Sequence, residues 1–390
     1  MLRTLSIRRR RRWLWRSAQL LALGIAALLF LLWSSSDQFA AFGGVPAGAE
    51  RTRMLASSHY RDGKFRNTEP TELLKTNSFS VLLNWFIVKE MRVPTCKLPL
   101  APDPSAQLAQ PPASGLRVTW LGHSTSLIEI DGVRILSDPI WSERASPSTL
   151  GGPKRFHPPA LPLEAVPKLD AVIISHDHYD HLDMHSVREL AKRGVVFHCA
   201  LAVGAHLAHW GVPWSQIREH EWWEPSQLPK GVRLISTPAR HFSGRRMLDG
   251  DATFWTSWTI IGPRHRVFFS GDTGPTAAHA AIAQRFGPFD LSMLEIGQYH
   301  WSWGDIHLGP VGAIAAHQAL RAKALLPIHW GTFELAQHAW SEPAETLSRE
   351  AAKRGVTLLT PRIGEPIEPT RPTPTAAWWR ALPPLAPACP

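Results

Sequence analysis

Four side chains that can bind a metal ion lie within one loop of six residues: His176, His178, Asp180 and His181. They directly follow residues 171–174, an apolar run of strand length that fixes where the loop begins. Imidazole and carboxylate groups together suit zinc, and also iron or manganese. Because so many polar groups are costly to place after a buried strand without a ligand, the H-x-H-x-D-H pattern predicts a metal site. His176 and His178 can point to one ion, while Asp180 and His181 turn toward a second.

A binuclear site needs further ligands, and three residues occur at comparable places, directly after other apolar runs of strand length: His241, Asp272 and His329. Asp272 lies in Ser-Gly-Asp-Thr-Gly, where the preceding glycine allows a tight turn close to the site. Functional groups of α/β proteins commonly lie at strand ends. We therefore expect these three side chains to meet the H-x-H-x-D-H loop.

The elements that must position these residues alternate between strands and helices. Residues 125–130 and 133–137 flank Asp131-Gly132, a strong hairpin signal. Helical patterns follow at residues 184–193, 277–286 and 310–322, each between apolar runs of strand length. This order predicts a layered α/β protein with a mixed sheet or two sheets.

The metal-binding pattern resembles the metallo-β-lactamase superfamily, which implies an αββα sandwich with the metals at one edge. Longer stretches resemble one branch of it, the N-acyl-phosphatidylethanolamine-hydrolysing phospholipase D family: residues 137–147, 152–156, 176–183, 285–290 and 328–333. The resemblance extends from about residue 65 to about residue 347. Two positions depart from the family pattern, Asp177 where Asn is usual and Arg240 where Gln is common.

The resemblance implies a role for each residue. One ion would be held by His176, His178 and His241, and the other by Asp180, His181 and His329. Asp272 would bridge the two ions, which are expected to be zinc, with iron or manganese as alternatives. His307 matches a family histidine near the site and is the expected proton donor to the leaving group. His123, in Trp-Leu-Gly-His, is expected to orient the ligands.

The implied reaction is hydrolysis of N-acyl-phosphatidylethanolamine to an N-acylethanolamine and phosphatidic acid, by attack of a metal-bound hydroxide on phosphorus. The implied partners are a phospholipid substrate and a membrane, and family members can form homodimers. Three alternatives stay open: a UlaG-like lactonase acting on a phosphorylated sugar lactone, a nuclease of the same superfamily, and a non-catalytic, membrane-tethered binding protein.

Charge argues against a nucleic-acid partner. The formal net charge is +10, but seven of the basic residues are arginines before residue 17. Without them the excess of basic over acidic residues is only three. The body of the chain is nearly neutral, so a basic nucleic-acid-binding surface is not expected.

The arginines precede residues 17–33, which contain no charge and, with the three serines that follow, are long enough to cross about 30 Å of hydrocarbon. The positive-inside rule then puts the catalytic domain on the periplasmic or extracytoplasmic side of a single-pass anchor. A cleaved signal peptide, including a twin-arginine one, and a helix on the membrane surface are alternatives.

Composition predicts four segments. Residues 1–36 form the basic N-terminus and transmembrane anchor, and residues 37–115 an N-terminal extension that ends in a Pro-rich linker. Residues 116–365 form the catalytic domain, and residues 366–390 a Pro-rich C-terminal tail.

Overall fold

The computed structural model describes residues 13, 15–29, 37–75, 91–246, 248–371 and 376–382. The chain divides into two compact units, with the division between Phe42 and Gly43. In the first unit, residues 15–29 are helical and α1 spans Asp37–Ala40. The second unit contains everything described below.

Two seven-stranded mixed sheets form the centre of the second unit, preceded by a two-stranded ribbon of β1 (Tyr60–Arg61) and β2 (Lys64–Phe65). The first sheet has the order β16-β3-β4-β5-β6-β7-β8. Its strands are β3 (Leu116–Gly122), β4 (Thr125–Ile130), β5 (Val133–Ser137), β6 (Ala171–Ile173), β7 (Phe197–Ala200), β8 (Ile217–His220) and β16 (Pro366–Ile367).

The second sheet has the order β15-β14-β13-β12-β11-β10-β9. Its strands are β9 (Pro225–Gln227), β10 (Arg233–Thr237), β11 (Ser257–Ile261), β12 (Arg266–Phe269), β13 (Leu291–Glu295), β14 (Ala324–Ile328) and β15 (Thr357–Leu358). In both sheets the antiparallel strands lie at one end of the order and the parallel strands, which need crossover connections, at the other.

Helices cover the outer faces of both sheets. The helices of the second unit are α2 (Gly48–Ala56), α3 (Ser105–Leu108), α4 (Met184–Ala191), α5 (Gly204–His209), α6 (Ala278–Phe286), α7 (Gly309–Leu320) and α8 (Glu342–Arg354). Helices α4 and α5 share an apolar cluster with the first sheet, while α6, α7 and α8 share one with the second. The predicted αββα sandwich is therefore confirmed.

Alternation along the strands explains the two cores. On β4, Leu127 belongs to the cluster that includes α4 and α5. Ile128 and Ile130 belong to the other cluster, which fills the space between the two sheets and also includes α6, α7 and α8. Successive side chains of a strand point to opposite faces, so one strand contributes to both cores. The hairpin at Asp131-Gly132 forms as predicted, with both residues at positive φ (49° and 82°), as a type I′ turn requires.

Aromatic stacking supports the end of β14. Trp330 lies between Trp120 of β3 and Trp378, with ring centroids 5.4 and 5.3 Å away and nearly parallel planes. All three indoles are buried. The backbone that carries His329 is therefore packed on a rigid apolar surface.

The structure contradicts one part of the predicted organisation. In the described part of the chain, no helix combines the length and the apolarity needed to cross a bilayer. Residues 30–36 lie outside the described residues. The predicted transmembrane helix is wrong, and so is the predicted single-pass anchoring with an extracytoplasmic catalytic domain.

The predicted N-terminal extension and C-terminal tail both contribute to the sandwich. Leu98 and Leu108 are buried in its two cores, and from Gly43 onward the extension belongs to the same compact unit. At the other end, β16 pairs with β3, and Trp378 and Trp379 are buried. Residues 372–375 and 383–390 of the predicted tail lie outside the described part of the chain.

Candidate metal centre

The seven predicted ligands meet where strands of both sheets end. The loop with His176, His178, Asp180 and His181 follows β6 of the first sheet. His241, Asp272 and His329 follow β10, β12 and β14 of the second sheet. All of them are buried or nearly so. Gly271, at a φ of 53°, permits the close approach, because a Cβ there would lie 2.4 Å from the Cβ of Ser175.

Three imidazoles form what we call the histidine cluster: His176, His178 and His241. The Nδ1 atom of His178 lies 2.8 Å from Nε2 of His176 and 3.4 Å from Nε2 of His241. Burial, together with neighbouring imidazoles, holds the pKa of His176 well below its ordinary value, and burial does the same for the pKa of His241. Neutral nitrogens with converging lone pairs are the form in which histidine binds metals.

Three other side chains form what we call the mixed cluster: Asp180, His181 and His329. The Oδ2 atom of Asp180 lies 3.3 Å from Nε2 of His181 and 3.2 Å from Nε2 of His329. Burial alone would raise the pKa of Asp180. The charge of His181 and hydrogen bonds from His123 and His329 outweigh it, so that this pKa lies well below its usual range. The mixed cluster therefore contributes a negative charge that the histidine cluster lacks.

Asp272 lies between the two clusters. Its Oδ2 atom is 3.1 Å from Nε2 of His329 and 3.2 Å from Nε2 of His181 in the mixed cluster. The same atom is 3.8 Å from Nε2 of His241 and 4.0 Å from Nε2 of His176 in the histidine cluster. One carboxylate is thus within reach of both groups, which is the position of a bridging ligand.

Unpartnered buried atoms show that this arrangement fits a divalent metal. Among the described residues, Nε2 of His181 and Oδ1 of Asp272 are buried without a hydrogen-bond partner. Leaving such atoms unpaired costs about 1–3 kcal/mol each, more when they are charged. The donor atoms within each cluster lie close enough to share one ion. A cation would satisfy these atoms and separate nitrogens that otherwise face each other with their lone pairs.

Outer contacts fix which nitrogen of each ring faces inward. The Nδ1–H of His181 donates to the buried carboxylate of Asp138 over 2.7 Å, which leaves Nε2 for the centre. The Nδ1–H of His241 donates to the carbonyl of Ile306 over 3.0 Å. Such bonds orient a ligating histidine and increase its basicity.

His123 lies beside the mixed cluster, with Nε2 2.7 Å from Oδ2 of Asp180. Its backbone has a positive φ of 51°, and both its N–H and its carbonyl form hydrogen bonds. The N–H of His123 donates to Thr332 Oγ1 over 2.7 Å, and its carbonyl accepts from the N–H of His329 over 2.9 Å. His123 thus contacts a predicted ligand, as the expected orienting role requires.

His307 lies on the outer side of the centre. Its ring stacks on His329 with centroids 5.4 Å apart and planes 14° from parallel. Its Nδ1 is 3.4 Å from Oε1 of Glu295, a fully buried carboxylate at the end of β13. Burial alone would lower the pKa of His307, but the charge of Glu295, with that of Asp272 and Asp180, raises it above the ordinary value. His307 is therefore disposed to hold a proton beside the centre.

A cavity of about 380 Å³ opens over the centre. Its floor includes His178, Asp180, Asp272, His307 and His329. Its walls are mostly apolar and consist of Leu73, Leu74, Phe242, Trp303, Ile306 and Leu335, with Gln298 as a polar member. No Lys or Arg is among these lining residues. The cavity can therefore enclose an apolar group next to a metal centre.

Sequence reasoning gave no role to three residues that the structure places around the centre. Asp138 orients His181, Glu295 contacts His307, and Asn67 holds the backbone of His241 through bonds to its N–H (3.1 Å) and its carbonyl (2.7 Å). Asp138 does follow a predicted strand, which is a usable signal. Asn67 is 174 residues from His241 and carries no signal in the sequence.

Comparisons with known proteins agree with this geometry. Residues 133–330 match the family described as a beta-lactamase superfamily domain. An uncharacterized protein of Mycobacterium tuberculosis is 43% identical over 94% of this chain and 99% of that protein. The N-acyl-phosphatidylethanolamine-hydrolyzing phospholipase D 1 of Caenorhabditis elegans is 37% identical over 57% of this chain and 65% of that protein.

A solved structure shows the same fold. A metallo hydrolase of Ignicoccus hospitalis aligns with a TM-score of 0.50 and 24% identity, over 65% of this chain and 97% of that one. At this level of identity the likeness concerns the fold alone.

Proposed function

Since this chain belongs to the metallo-β-lactamase superfamily and is a metal-dependent hydrolase of that superfamily, we propose that it is a phosphodiesterase of the phospholipase D type. Its proposed substrate is N-acyl-phosphatidylethanolamine, and its products are an N-acylethanolamine and phosphatidic acid. The observation that carries the proposal is the convergence of seven ligating side chains beneath an apolar cavity.

Two divalent ions, proposed to be zinc, would occupy the centre. The histidine cluster would hold one ion, the mixed cluster the other, and Asp272 both. When bound, such ions lower the pKa of a water molecule and withdraw charge from a phosphoryl oxygen. Asp180 and Asp272 would supply two negative charges that partly neutralise the ions, while imidazole nitrogens would supply the remaining contacts.

The chain's own residues would perform the remaining steps. Asp272, reaching both clusters, positions the reacting water relative to the phosphodiester. His307, protonated beside Glu295, donates its proton to the departing alkoxide oxygen of the N-acylethanolamine. His123 keeps Asp180 oriented through its 2.7 Å hydrogen bond.

The lining of the cavity supports a lipid over a phosphorylated sugar. Six of its wall residues are apolar, and the described lining contains no lysine or arginine to bind the phosphate of a sugar lactone. Burial of an acyl chain against such walls contributes about 0.8 kcal/mol per methylene group. The UlaG-like lactonase is therefore the weaker alternative. A non-catalytic binding protein is weaker too, because every position of the ligand set is occupied by a ligating residue.

The test is a substrate panel read by mass spectrometry. The metal-loaded protein is incubated in detergent with N-acyl-phosphatidylethanolamine, a phosphodiester dye and a phosphorylated lactone. We expect N-acylethanolamine and phosphatidic acid to appear, and chelation to stop their formation while the circular dichroism spectrum is retained. Turnover of the lactone alone would refute the phosphodiesterase, and no turnover of any substrate by metal-loaded protein would favour a binding protein.

A further inference from the structure

A segment that precedes the matched domain forms one wall of the site. We call residues 66–75 the strap. It precedes residues 133–330, which match the family, yet its last residues line the cavity over the metal centre. The strap has no regular secondary structure apart from a single bridge, Leu74 to Trp303. What holds it in place must therefore be specific contacts.

One attachment is at the histidine cluster. The side-chain amide of Asn67 donates to the carbonyl of His241 over 2.7 Å, and its oxygen accepts from the N–H of His241 over 3.1 Å. The same oxygen accepts from the indole N–H of Trp255 over 2.9 Å. The beginning of the strap is thus fastened to a predicted metal ligand.

A second attachment is Arg240, one of the two departures from the family pattern. Its guanidinium donates to the carbonyl of Pro70 and to Thr71 Oγ1. It also forms a 2.8 Å ion pair with Asp305, and only 13% of its side chain is exposed. A neutral glutamine could not form this ion pair, so the arginine ties the strap and the loop before His307 together.

The end of the strap runs antiparallel to that loop. Three backbone hydrogen bonds join them. The N–H of Gly304 donates to the carbonyl of Leu73 over 3.0 Å, and the N–H of Asp305 to the carbonyl of Glu72 over 2.9 Å. The N–H of Lys75 donates to the carbonyl of Ser302 over 2.8 Å. A Cβ at Gly304 would lie 1.7 Å from the carbonyl oxygen of Glu72, so only glycine allows this approach. The pairing directs the side chains of Leu73 and Leu74 to the cavity.

Leu73 and Leu74 are each 43% exposed, although both line a cavity whose floor is the metal centre. A ligand that covers such half-exposed apolar side chains removes their surface from water, and this burial stabilises the complex. Because the floor would hold the phosphoryl group, a substituent on phosphorus would lie against these two leucines.

We infer that Leu73 and Leu74 are specificity-determining residues that bind an alkyl or acyl substituent of an anionic phosphodiester, and that Arg240 holds them in place through the strap. The inference rests on the proposed function for the choice of a phosphodiester. It goes further in assigning chain-length selectivity to a segment that precedes the matched domain, residues 133–330.

The experiment measures binding by isothermal calorimetry, so that it does not depend on turnover. The probes are dihexyl phosphate and dimethyl phosphate, titrated into the metal-loaded full chain. Each methylene buried on the wall should strengthen binding about fourfold. With about three of its ten additional methylenes buried, dihexyl phosphate should bind about 100-fold more tightly than dimethyl phosphate. Leu73→Asn and Leu74→Asn should each weaken the binding of dihexyl phosphate about tenfold and change the affinity for dimethyl phosphate less than about twofold.

The matched control is Leu55→Asn on α2, a leucine that is 49% exposed and lines no described cavity. It should leave both affinities unchanged. Arg240→Gln should lower selectivity for dihexyl phosphate without changing metal content. Thermal unfolding and elemental analysis check that each variant is folded and loaded.

Three outcomes would overturn the inference. Wild-type protein could bind the two probes with equal affinity, or it could bind neither. Alternatively, the strap variants could lower the affinities for both probes to the same extent. If selectivity for dihexyl phosphate depends on the strap while no phosphodiester is hydrolysed in the substrate panel, the proposed function fails and the specificity assignment stands.

Discussion

The histidine cluster and the mixed cluster are built in different ways. The histidine cluster offers three neutral nitrogens, and one of its members, His241, is held through its backbone by Asn67 from the strap. The mixed cluster contains the Asp180 carboxylate and is supported by the buried side chains of Asp138 and His123. The first cluster therefore depends on the strap, which precedes the matched domain, while the second depends on polar groups buried close around it.

This difference bears on how each site responds to change. A buried carboxylate that orients a ligand acts directly on the metal, because it alters both the basicity and the direction of the imidazole. A backbone clamp acts on the loop and is shared among several neutral hydrogen bonds, each worth about 0.5–1.5 kcal/mol. Substitutions around the mixed cluster should accordingly cost more than substitutions at the strap.

The largest effect is expected from Asp272→Ala, because this carboxylate reaches both clusters. Turnover should fall by at least about 10⁴-fold, as for other groups that act as a unit in catalysis. Elemental analysis should find fewer than two metal ions per chain. Turnover within tenfold of wild type would rule out the bridging role.

Removing one ligand from each cluster compares them directly. His241→Ala and His329→Ala should each lower metal content by about one ion per chain and turnover by about 10³-fold or more. Elemental analysis after dialysis against dilute chelator measures the first quantity. If either variant kept as many metal ions per chain as the wild type, the assignment of the replaced residue as a ligand would be wrong.

Asp138→Asn should have a smaller effect, because it removes a charge next to a ligand without removing the ligand. Loss of an outer carboxylate of this kind lowers metal affinity or activity about 10- to 100-fold. Competition with a fluorescent chelator measures the affinity. The histidine cluster should keep its own ion, and a variant that lost both ions equally would contradict the separation of the two clusters.

The smallest effect is expected from Asn67→Ala. It removes the clamp on His241 and one of the two acceptors for the indole N–H of Trp255, so the free energy of unfolding should fall by about 1–3 kcal/mol. Metal affinity should fall less than tenfold. Thr68→Ala, at an exposed neighbouring position, is the control for chemical denaturation. A loss of affinity as large as that of Asp138→Asn would show that the strap matters as much as the buried carboxylate.

The sequence predicted the parts of this molecule whose signals are local. The hairpin at Asp131-Gly132 and the strands that end before His176 and Asp272 depend on neighbouring residues, and they formed as expected. The seven predicted ligands come together because strand ends of a sandwich meet at one edge. The resemblance to a known family, more than spacing, indicated which ligands belong together.

What sequence reasoning missed depends on distant contacts. Asn67 and Glu295 are placed by packing between loops far apart in the chain, which periodicity does not report. The predicted transmembrane helix was wrong as well, because no helix in the described part of the chain could span a bilayer.

The indole stack behind His329 gives the protein an intrinsic optical probe. Trp330 is the neighbour of a predicted ligand in the chain and is held in a dry, stacked environment between Trp120 and Trp378. A cation that pulls on the imidazole of His329 would shift the adjoining indole and change its ultraviolet emission. Since the chain has 18 tryptophans, loading of the mixed cluster is followed as the emission change that is lost in Trp330→Phe.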